Sequence, residues 1–261
     1  MHRFFVPSES LARGVVEIGG AVSRQMSEVL RLRKGEHVIL LDNSGWEYET
    51  ELETVSPGRV VGVVLSKRLG AREPRVKLTL YQSLIRTQNF ELVLQKCTEI
   101  GVSVFVPLVC ERSSVGQLGE IGQEKWERWG RIIAEAAEQS GRAKLPVLQP
   151  ATLFPQACST VRGLSLVAYE DEREQGLRDC LRSLTAPGKA HLNAGPLRPF
   201  SLNLFIGPEG GLSQKEVEIA RCYRLYTFGM GPRLLRSETA AIVASSLILY
   251  ELGDLQPPSQ S

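Results

Sequence analysis

The sequence contains no apolar run that approaches the roughly 18 residues needed to cross a membrane. Its first residues, MHRFFVPSES, also lack the longer apolar region of a secretory signal. These absences predict a cytoplasmic protein with no membrane partner.

Patterns typical of metal sites and disulfide frameworks are missing as well. The chain has three histidines and five cysteines, and no two cysteines form a CxxC pair. We therefore expect no metal cofactor, and we expect reduced, mostly buried thiols. The five cysteines are Cys97, Cys110, Cys158, Cys180 and Cys222.

A strong excess of charge of one sign is also absent. The 261 residues include 31 basic and 29 acidic side chains, for a net charge of +2. A nucleic-acid-binding surface would therefore have to come from local clusters, such as Arg31–Lys34 (RLRK) or Lys67-Arg68. The alternative interpretation of each cluster is an ordinary solvated surface. The length and the 43% hydrophobic content indicate one or two globular domains.

The first ~70 residues have the pattern of a small β-barrel, with several short strands close together. An apolar strand is predicted at 37–42, and a short helix at about 23–30 precedes it. In 46–54, Trp46 and the following even-numbered residues alternate with glutamates, which predicts a strand with one wet face. Another strand is predicted at 59–67.

Beyond a polar hinge at 69–75, strands alternate with helices, which predicts an α/β fold with a mainly parallel sheet and helices on both faces. Ser213 and Glu216 have the spacing of a capping box at a helix start. Residues 171–199 predict a helix followed by a surface loop. Strands are predicted at 76–82, 102–109, 164–169, 201–206 and 225–228, and helices at 89–100, 122–140 and 239–252.

Two glycine-rich segments follow apolar runs near the C-terminus: Ile206–Ser213 (IGPEGGLS) and Gly229–Thr239 (GMGPRLLRSET). Glycine allows backbone groups to approach a ligand closely, so the segments predict a pocket made largely of backbone. The alternative is a pair of plain turns. No P-loop motif is present, and Gly229-Met230-Gly231 lacks the third glycine of a dinucleotide-binding loop. These absences argue against a nucleotide-binding oxidoreductase.

Read together, the two segments closely resemble the C-terminal signature of the RsmE family. Members of that family are SPOUT-class, S-adenosylmethionine-dependent methyltransferases that modify N3 of a uridine in small-subunit ribosomal RNA. The resemblance covers nearly the whole chain, because other stretches match further family motifs. These are Gln95–Val102 (QKCTEIGV), Glu111-Arg112 and Glu135–Arg142 (EAAEQSGR).

The resemblance implies a PUA-like RNA-binding β-barrel at 1–72 and a SPOUT domain at 73–255, whose C-terminal segment threads a trefoil knot. Residues 256–261 are expected to form a disordered tail. The resemblance further implies a homodimer that acts on 16S rRNA within the small ribosomal subunit. Apolar 240–250 is either an interface helix or a core helix.

The resemblance also assigns S-adenosylmethionine to the loops near Tyr169, Gly207 and Gly231. The residues expected to bind it are Tyr169, Ile206, Gly207, Pro208, Gly210, Gly211, Phe228, Gly229, Met230, Gly231, Leu234 and Leu235. The residues expected to contact RNA are Arg3, Arg31, Arg33, Lys96, Arg112 and Arg142.

Methylation at N3 requires loss of the imide proton, which places negative charge on the flanking carbonyl oxygens. Arg233 and Arg236 carry the fixed donors suited to that charge. Either Glu209 or Glu238 is expected to accept the proton or to orient an arginine. The alternative for Glu238 is a carboxylate placed for stability at a helix N-terminus.

Two other functions stay open on the same scaffold. One is another SPOUT activity, such as ribose 2′-O-methylation of RNA, and the other is non-catalytic RNA binding. A methyl group on N3 blocks Watson–Crick pairing and a ribose methyl does not, so analysis of the product separates the two methylations.

Overall fold

The computed structural model describes residues 1–11, 14–114, 119, 121–185 and 201–256. Contacts divide the chain into two compact units. The first contains Met1–Glu73 and Ala134–Leu145, and the second contains Pro74–Ile133 and the described residues from Pro146 onward. None of the described helices combines the length and apolar character needed to span a bilayer. The predicted loop from 186 to 199 and the tail from 257 lie outside the described residues.

The first unit is built on one mixed sheet with the strand order β1-β3-β4-β5-β2. β1 runs parallel to β3, and the remaining pairs are antiparallel. A helix, α1 (Gly20–Arg24), continues as a π-helical turn over Gln25–Val29. The sequence does not predict β1 and β2, which are too short to show a period. The strands are β1 (His2–Phe5), β2 (Val15–Ile18), β3 (His37–Leu41), β4 (Trp46–Ser56) and β5 (Arg59–Leu69).

The alternation predicted for β4 holds in its middle, where Tyr48, Thr50 and Leu52 are buried. It fails at the start of the strand, where Trp46 is exposed and Glu47 is buried. Glu47 can be buried because its carboxylate accepts hydrogen bonds from Arg3 at 2.5 Å and from Arg68 at 3.0 Å. The ion pairs with two arginines therefore bury a residue that the alternating pattern predicted to be exposed.

Ala134–Leu145 joins the first unit through hydrogen bonds that the sequence does not predict. The Glu73 carboxylate accepts from the Arg142 guanidinium at 2.9 Å and from the Ala143 N–H at 2.9 Å. The Phe5 N–H donates to Glu138 at 3.0 Å. Residues 60 or more positions apart in sequence thus share one unit.

The second unit contains a sheet with the order β12-β10-β11-β6-β7-β8, in which β9 also pairs with β7. All of the pairings described in it are parallel, which confirms the α/β prediction. The strands are β6 (Lys77–Ser83), β7 (Val104–Val109), β8 (Val147–Leu148), β9 (Thr152–Leu153), β10 (Leu164–Ala168), β11 (Ser201–Ile206) and β12 (Tyr226–Phe228). The helices after Pro74 are α2 (Thr87–Ile100), α3 (Gln123–Ser140), α4 (Phe154–Thr160), α5 (Leu177–Thr185), α6 (Gln214–Cys222) and α7 (Ser237–Glu251). The part of α3 that begins at Ala134 belongs to the first unit.

Buried side chains lie on both faces of this parallel sheet, because neighbouring residues of a strand point in opposite directions. Leu204 packs in one cluster with Phe90 of α2 and Ala244 of α7. The next residue, Phe205, packs in a second cluster that includes Phe154 of α4 and Val217 of α6. Helices therefore cover both faces, as the sequence predicts.

The ends of several elements also test the sequence signals. The capping box at Ser213 is present, with the Ser213 hydroxyl and Glu216 side chain each accepting the other residue's N–H. Gly101 ends α2 with φ +123°. The sequence misses β8, β9 and α4, and it begins α7 two residues too late. The earlier start places Ser237 and Glu238 in the first turn of α7.

The cysteines behave as reduced core residues, as the sequence predicts. Cys97, Cys110, Cys158 and Cys180 are buried free thiols, and Cys222 is exposed. Burial raises the pKa of the Cys97, Cys110 and Cys158 thiols to about 12, so they stay protonated at neutral pH.

We predict that Glu47→Gln lowers the free energy of unfolding by roughly 3 kcal/mol at neutral pH, because it breaks a buried ion pair. Burial alone would raise the pKa of Glu47. The hydrogen bonds and charges of Arg3 and Arg68 lower it by more than burial raises it, so the pKa of Glu47 in the folded protein lies below its ordinary value. Such a group stabilises the fold above its unfolded-state pKa and loses that contribution as pH falls through the folded-state pKa.

The difference between wild type and Glu47→Gln should therefore shrink below about pH 4. Urea unfolding at several pH values measures it. The matched control is Glu53→Gln on the exposed side of the same strand, which should change stability by less than about 0.5 kcal/mol. A gap that stayed constant from neutral to acidic pH would contradict the ion-pair explanation.

Candidate active site at the carboxyl edge of the parallel sheet

The carboxyl ends of three neighbouring strands meet at one edge of the parallel sheet. Ala168 of β10 lies opposite both Ile206 of β11 and Phe228 of β12. The loops that follow these residues therefore begin side by side. In open α/β sheets this edge is where ligands bind.

The loop after β10 is held to the loop after β12 by backbone hydrogen bonds. The Tyr169 N–H donates to the Phe228 carbonyl at 3.0 Å, and the Gly229 N–H donates to the Gln175 carbonyl at 2.8 Å. Glu172 strengthens this link by accepting from the Thr227 hydroxyl at 2.7 Å. That hydrogen bond lowers the pKa of Glu172, so the carboxylate is ionised when it makes the contact.

Ser237 links the loop after β11 to the start of α7. Its hydroxyl donates to the Gly207 carbonyl at 2.6 Å and accepts from the Gln82 side-chain amide at 2.9 Å. Gln82 lies at the carboxyl end of β6, so one hydroxyl connects three segments. The sequence analysis did not select Gln82 or Ser237. A polar residue at the carboxyl end of an apolar strand was the signal that could have found Gln82.

Two glycines of the glycine-rich segments allow these loops to pack closely together. A Cβ at Gly229 would lie 2.2 Å from the Glu172 carbonyl oxygen. Gly211 has φ +71°, and the Glu170 carboxylate occupies the space that a Cβ would need. Gly231, with φ +95°, has open space around it and is the signature glycine best placed for a ligand to approach.

The segment from Gly231 to Arg236 lies open to solvent. Arg233 and Arg236 are exposed, and no ion pair of either is found in the described part of the chain. Leu234 is 84% exposed, which is unusual for a leucine. Arg236 is also the N-cap residue of α7, and its side chain makes no capping hydrogen bond.

The two candidate carboxylates lie in different surroundings. Glu238 is only 8% exposed, and its Oε2 has no hydrogen-bond partner within the described ranges. Glu209 is exposed and faces α2, with Oε1 3.4 Å from the Asn89 amide and Oε2 3.9 Å from the Arg86 Nε. Glu238 is thus the carboxylate that retains an unused buried acceptor.

The remaining residues predicted for the cofactor differ in exposure. Ile206, Pro208 and Phe228 are buried, while Tyr169, Met230 and Gly207 are half-buried and Leu235 and Gly210 are exposed. The Tyr169 hydroxyl lies 3.3 Å from Asp171 and 3.4 Å from Gln214. Ile206 and Phe228 belong to the main core, where their side chains are buried.

The structure brings only some of the predicted RNA-binding residues into suitable positions. Arg112 donates to the Gly210 carbonyl at 2.9 Å and so contacts the loop after β11. Lys96 pairs with Glu99 at 2.9 Å in the second half of α2, which runs back toward the opposite edge of the sheet. Arg31 and Arg33 are exposed in the first unit.

Arg3 and Arg142 are poorly suited to the RNA contact that the sequence analysis expected. Arg3 is committed to buried Glu47, and Arg142 is only 4% exposed and pairs with Glu73 at 2.9 Å. A guanidinium that is buried in an ion pair presents few donors to a phosphate. Both ion pairs instead join segments of the first unit. The described parts of the chain contain no cluster of three histidine, cysteine or acidic side chains that could hold a metal ion.

Comparisons with known proteins place this geometry in a family. Residues 72–249 match the family model described as an RNA methyltransferase domain. The ribosomal RNA small subunit methyltransferase E of Bacillus subtilis (strain 168) is 32% identical, over 96% of this chain and 97% of its own length. The chain belongs to the ribosomal RNA small subunit methyltransferase E family. The resemblance seen in the sequence to RsmE proteins is confirmed.

Solved structures of relatives of the RsmE family agree in fold. A methyltransferase of Legionella pneumophila is 28% identical with a TM-score of 0.82, covering 96% of this chain and 98% of its own. The ribosomal RNA small subunit methyltransferase E of Neisseria gonorrhoeae is 25% identical with a TM-score of 0.81 and the same coverage. Both of those structures contain bound S-adenosylmethionine.

For this RsmE-family chain we predict that Gly229→Ala lowers the free energy of unfolding by roughly 3 kcal/mol, because the new Cβ collides with backbone that cannot move independently. Gly210→Ala is the control in the neighbouring loop, since its Cβ would make only ordinary contacts with Arg112, at 3.5 Å. That variant should stay within about 0.5 kcal/mol of wild type. Urea unfolding compares them, and equal losses would contradict the packing role of Gly229.

Proposed function

We propose that this protein transfers a methyl group from S-adenosylmethionine to N3 of one uridine in small-subunit rRNA. The observation that carries the proposal is the meeting of three loops with the start of α7, where Arg236 and Glu238 lie, at one edge of the parallel sheet. The RsmE relatives and the S-adenosylmethionine bound to two of the similar structures support it.

The residues at this edge fit S-adenosylmethionine by their chemistry. Gln82 Oε1 is a buried acceptor with no partner in the described chain, and the Ser237 hydroxyl joins Gln82 to the start of α7. The amino groups of the donor molecule are hydrogen-bond donors that suit such an acceptor. The half-buried Met230 and the exposed Leu235 supply apolar surface nearby. When bound, S-adenosylmethionine supplies a methyl group already activated on a sulfonium.

Arg236 and Arg233 are proposed to stabilise the negative charge on the uracil carbonyl oxygens as N3 loses its proton. A guanidinium at a helix N-terminus adds its own charge to the positive end of the helix dipole. Neither arginine has an ion-pair partner in the described chain, so both are available to substrate.

Glu238 is proposed to accept the N3 proton or to orient Arg236. Its unpartnered buried oxygen favours it over Glu209, which faces Arg86 and Asn89. The N3 proton leaves as the nitrogen–methyl bond forms and the sulfur–methyl bond breaks. These roles need no metal.

We predict that Arg236→Ala lowers kcat by about 100-fold or more, because the charge on the carbonyl oxygens then loses a preorganised donor. Methyl transfer from labelled S-adenosylmethionine to small subunits from cells lacking this enzyme measures the rate, and nucleoside mass spectrometry identifies the product. Arg162→Ala is the matched control, because Arg162 is an exposed arginine before β10, at the opposite edge of the sheet.

The expected product is 3-methyluridine at a single site. Detection of a 2′-O-methylated nucleoside instead would show that the protein methylates ribose and not N3 of uridine. Absence of S-adenosylmethionine binding in calorimetry would leave a non-catalytic RNA-binding scaffold as the function. Equal rates for Arg236→Ala and wild type would refute the role assigned to Arg236.

The fold details implied by family membership are part of the proposal. We propose that the segment carrying β12 and α7 forms a trefoil knot, supported by the packing of α7 back onto β6 and β11. We also propose that the first unit is a PUA-like RNA-binding module, supported by its β-rich composition and the exposed Arg31 and Arg33. Two RNA-binding units would allow the protein to grip an extended ribosomal surface.

A homodimer is proposed from the exposed apolar side of α7. Leu247 and Tyr250 are 48% and 55% exposed, and they share a helix face with half-buried Val243. Exposed apolar patches of this kind mark protein–protein contacts. The face therefore supports the interface interpretation of this helix over the purely core one.

We predict that Leu247→Asp raises the dimer dissociation constant at least about a hundredfold, because a charge would be buried without a partner. Sedimentation velocity over a range of concentrations measures it. Leu255→Asp is the control, since Leu255 is equally exposed but lies beyond α7. A wild-type monomer, or a Leu247→Asp dimer as tight as wild type, would rule out this interface.

A further inference from the structure

The first unit contains a cavity of about 430 Å³ that none of the assigned roles uses. All of its lining residues belong to that unit, from the start of the chain, the π-helical turn, Arg72 and the Ala134–Leu145 segment. The volume falls in the range of roughly 300–1,000 Å³ that is typical of small-molecule pockets. Part of the lining comes from the EAAEQSGR motif, for which the catalytic site has no use.

The lining offers hydrogen-bonding groups of both kinds. Gln25 and Gln139 each carry an amide donor and an amide acceptor, and Glu135 carries an acceptor. Glu138 is fixed in the wall, because its Oε1 accepts the Phe5 N–H at 3.0 Å. Such a set can pair with the edge of a nucleobase, which also mixes donors and acceptors.

The lining also offers flat groups that can stack. The imidazole of His2 and the guanidinium of Arg72 both line the cavity, and both residues are exposed. RNA-binding proteins commonly stack unpaired bases on histidine or arginine side chains. Arg72 lies against Gly141, where a Cβ would come within 2.0 Å of its Nη1, and no aromatic stacking partner of Arg72 is found among the described residues.

The charges of the lining favour a base over a phosphate. Glu135 and Glu138 line the cavity together with Arg72, so these charges largely offset each other. The other lining arginine, Arg3, is already paired with Glu47. A phosphate would therefore gain little net attraction in the cavity, whereas an uncharged heterocycle needs none. The cavity therefore matches a neutral, planar, hydrogen-bonding group.

We propose that this cavity binds one unstacked nucleobase of the RNA substrate, from a nucleotide other than the one that is methylated. The inference rests on the proposed function for the identity of the RNA. It adds a second recognition site, within the first unit, to the site at the carboxyl edge of the parallel sheet. Reading a second base would contribute to the choice of one uridine among many.

The base-binding step is tested directly with the full-length protein and the four nucleoside 5′-monophosphates. Side-chain amide signals of Gln25 and Gln139, and the ring signals of His2, are followed by NMR. At least one nucleotide should shift these signals, and Gln139→Ala should weaken that binding about tenfold. Ribose 5-phosphate, which has the same phosphate and no base, should leave them unchanged.

The RNA step uses the affinity of the protein for small-subunit rRNA. Gln139→Ala should weaken it about tenfold, as expected for the loss of contacts to one base. Gln123→Ala is the matched control, because Gln123 is an exposed glutamine at the other end of α3, outside the cavity. Affinity for S-adenosylmethionine should be the same in both variants and in wild type.

Two outcomes would overturn the cavity proposal alone: equal shifts with ribose 5-phosphate, or wild-type rRNA affinity in Gln139→Ala. Failure of the proposed function gives a different result, with no methylated nucleoside in the product while nucleotides still shift the Gln139 signal. In that case the cavity remains a base-binding site on an RNA-binding protein of another activity.

Discussion

The hydrogen bond from the Ser237 hydroxyl to the Gly207 carbonyl is the contact on which the geometry of the candidate site depends. It attaches the first turn of α7 to the loop after β11, and the Gln82 amide attaches both to the end of β6. The position of Glu238, the next residue, follows directly from it. Arg236, the residue before, is held at the same place as the helix N-cap.

The loops around this contact are ordered mainly by one another. Gly229 and Gly211 approach the Glu170–Gln175 segment so closely that a side chain would collide with it. Such loops are preorganised by the protein's own backbone, so little ordering is left to a ligand. The exposed stretch from Gly231 to Arg236 is the exception, and it carries the two arginines proposed to act on the substrate.

Arginines in this chain divide into two groups by their partners. Arg3 and Arg142 are mostly buried with Glu47 and Glu73, and they stabilise the first unit. Arg233 and Arg236 are exposed and have no carboxylate partner in the described chain. Counting arginines in family motifs cannot separate these groups, because the nearest carboxylate is supplied by residues distant in sequence.

The features that could be predicted from the sequence are those set by local patterns. The alternation of strands and helices, the capping box at Ser213, the end of α2 at Gly101 and the two glycine-rich loops all follow from spacing within a few residues. The family membership was also readable there, because its motifs are contiguous stretches. The sequence did not predict five short elements, because none of them is long enough to show a hydrophobic period. These are β1, β2, β8, β9 and α4.

Which distant residues share a site was visible only in the folded chain. Folding brings Arg3 and Arg68 from other strands to Glu47, which is buried where the alternating pattern predicted an exposed side chain. It also assigns Ala134–Leu145 to the first unit, brings Gln82 to Ser237, and leaves one oxygen of Glu238 without a partner in the described chain. Burial and charge pairing act through space between segments far apart in the chain, so no local pattern in the sequence could specify them.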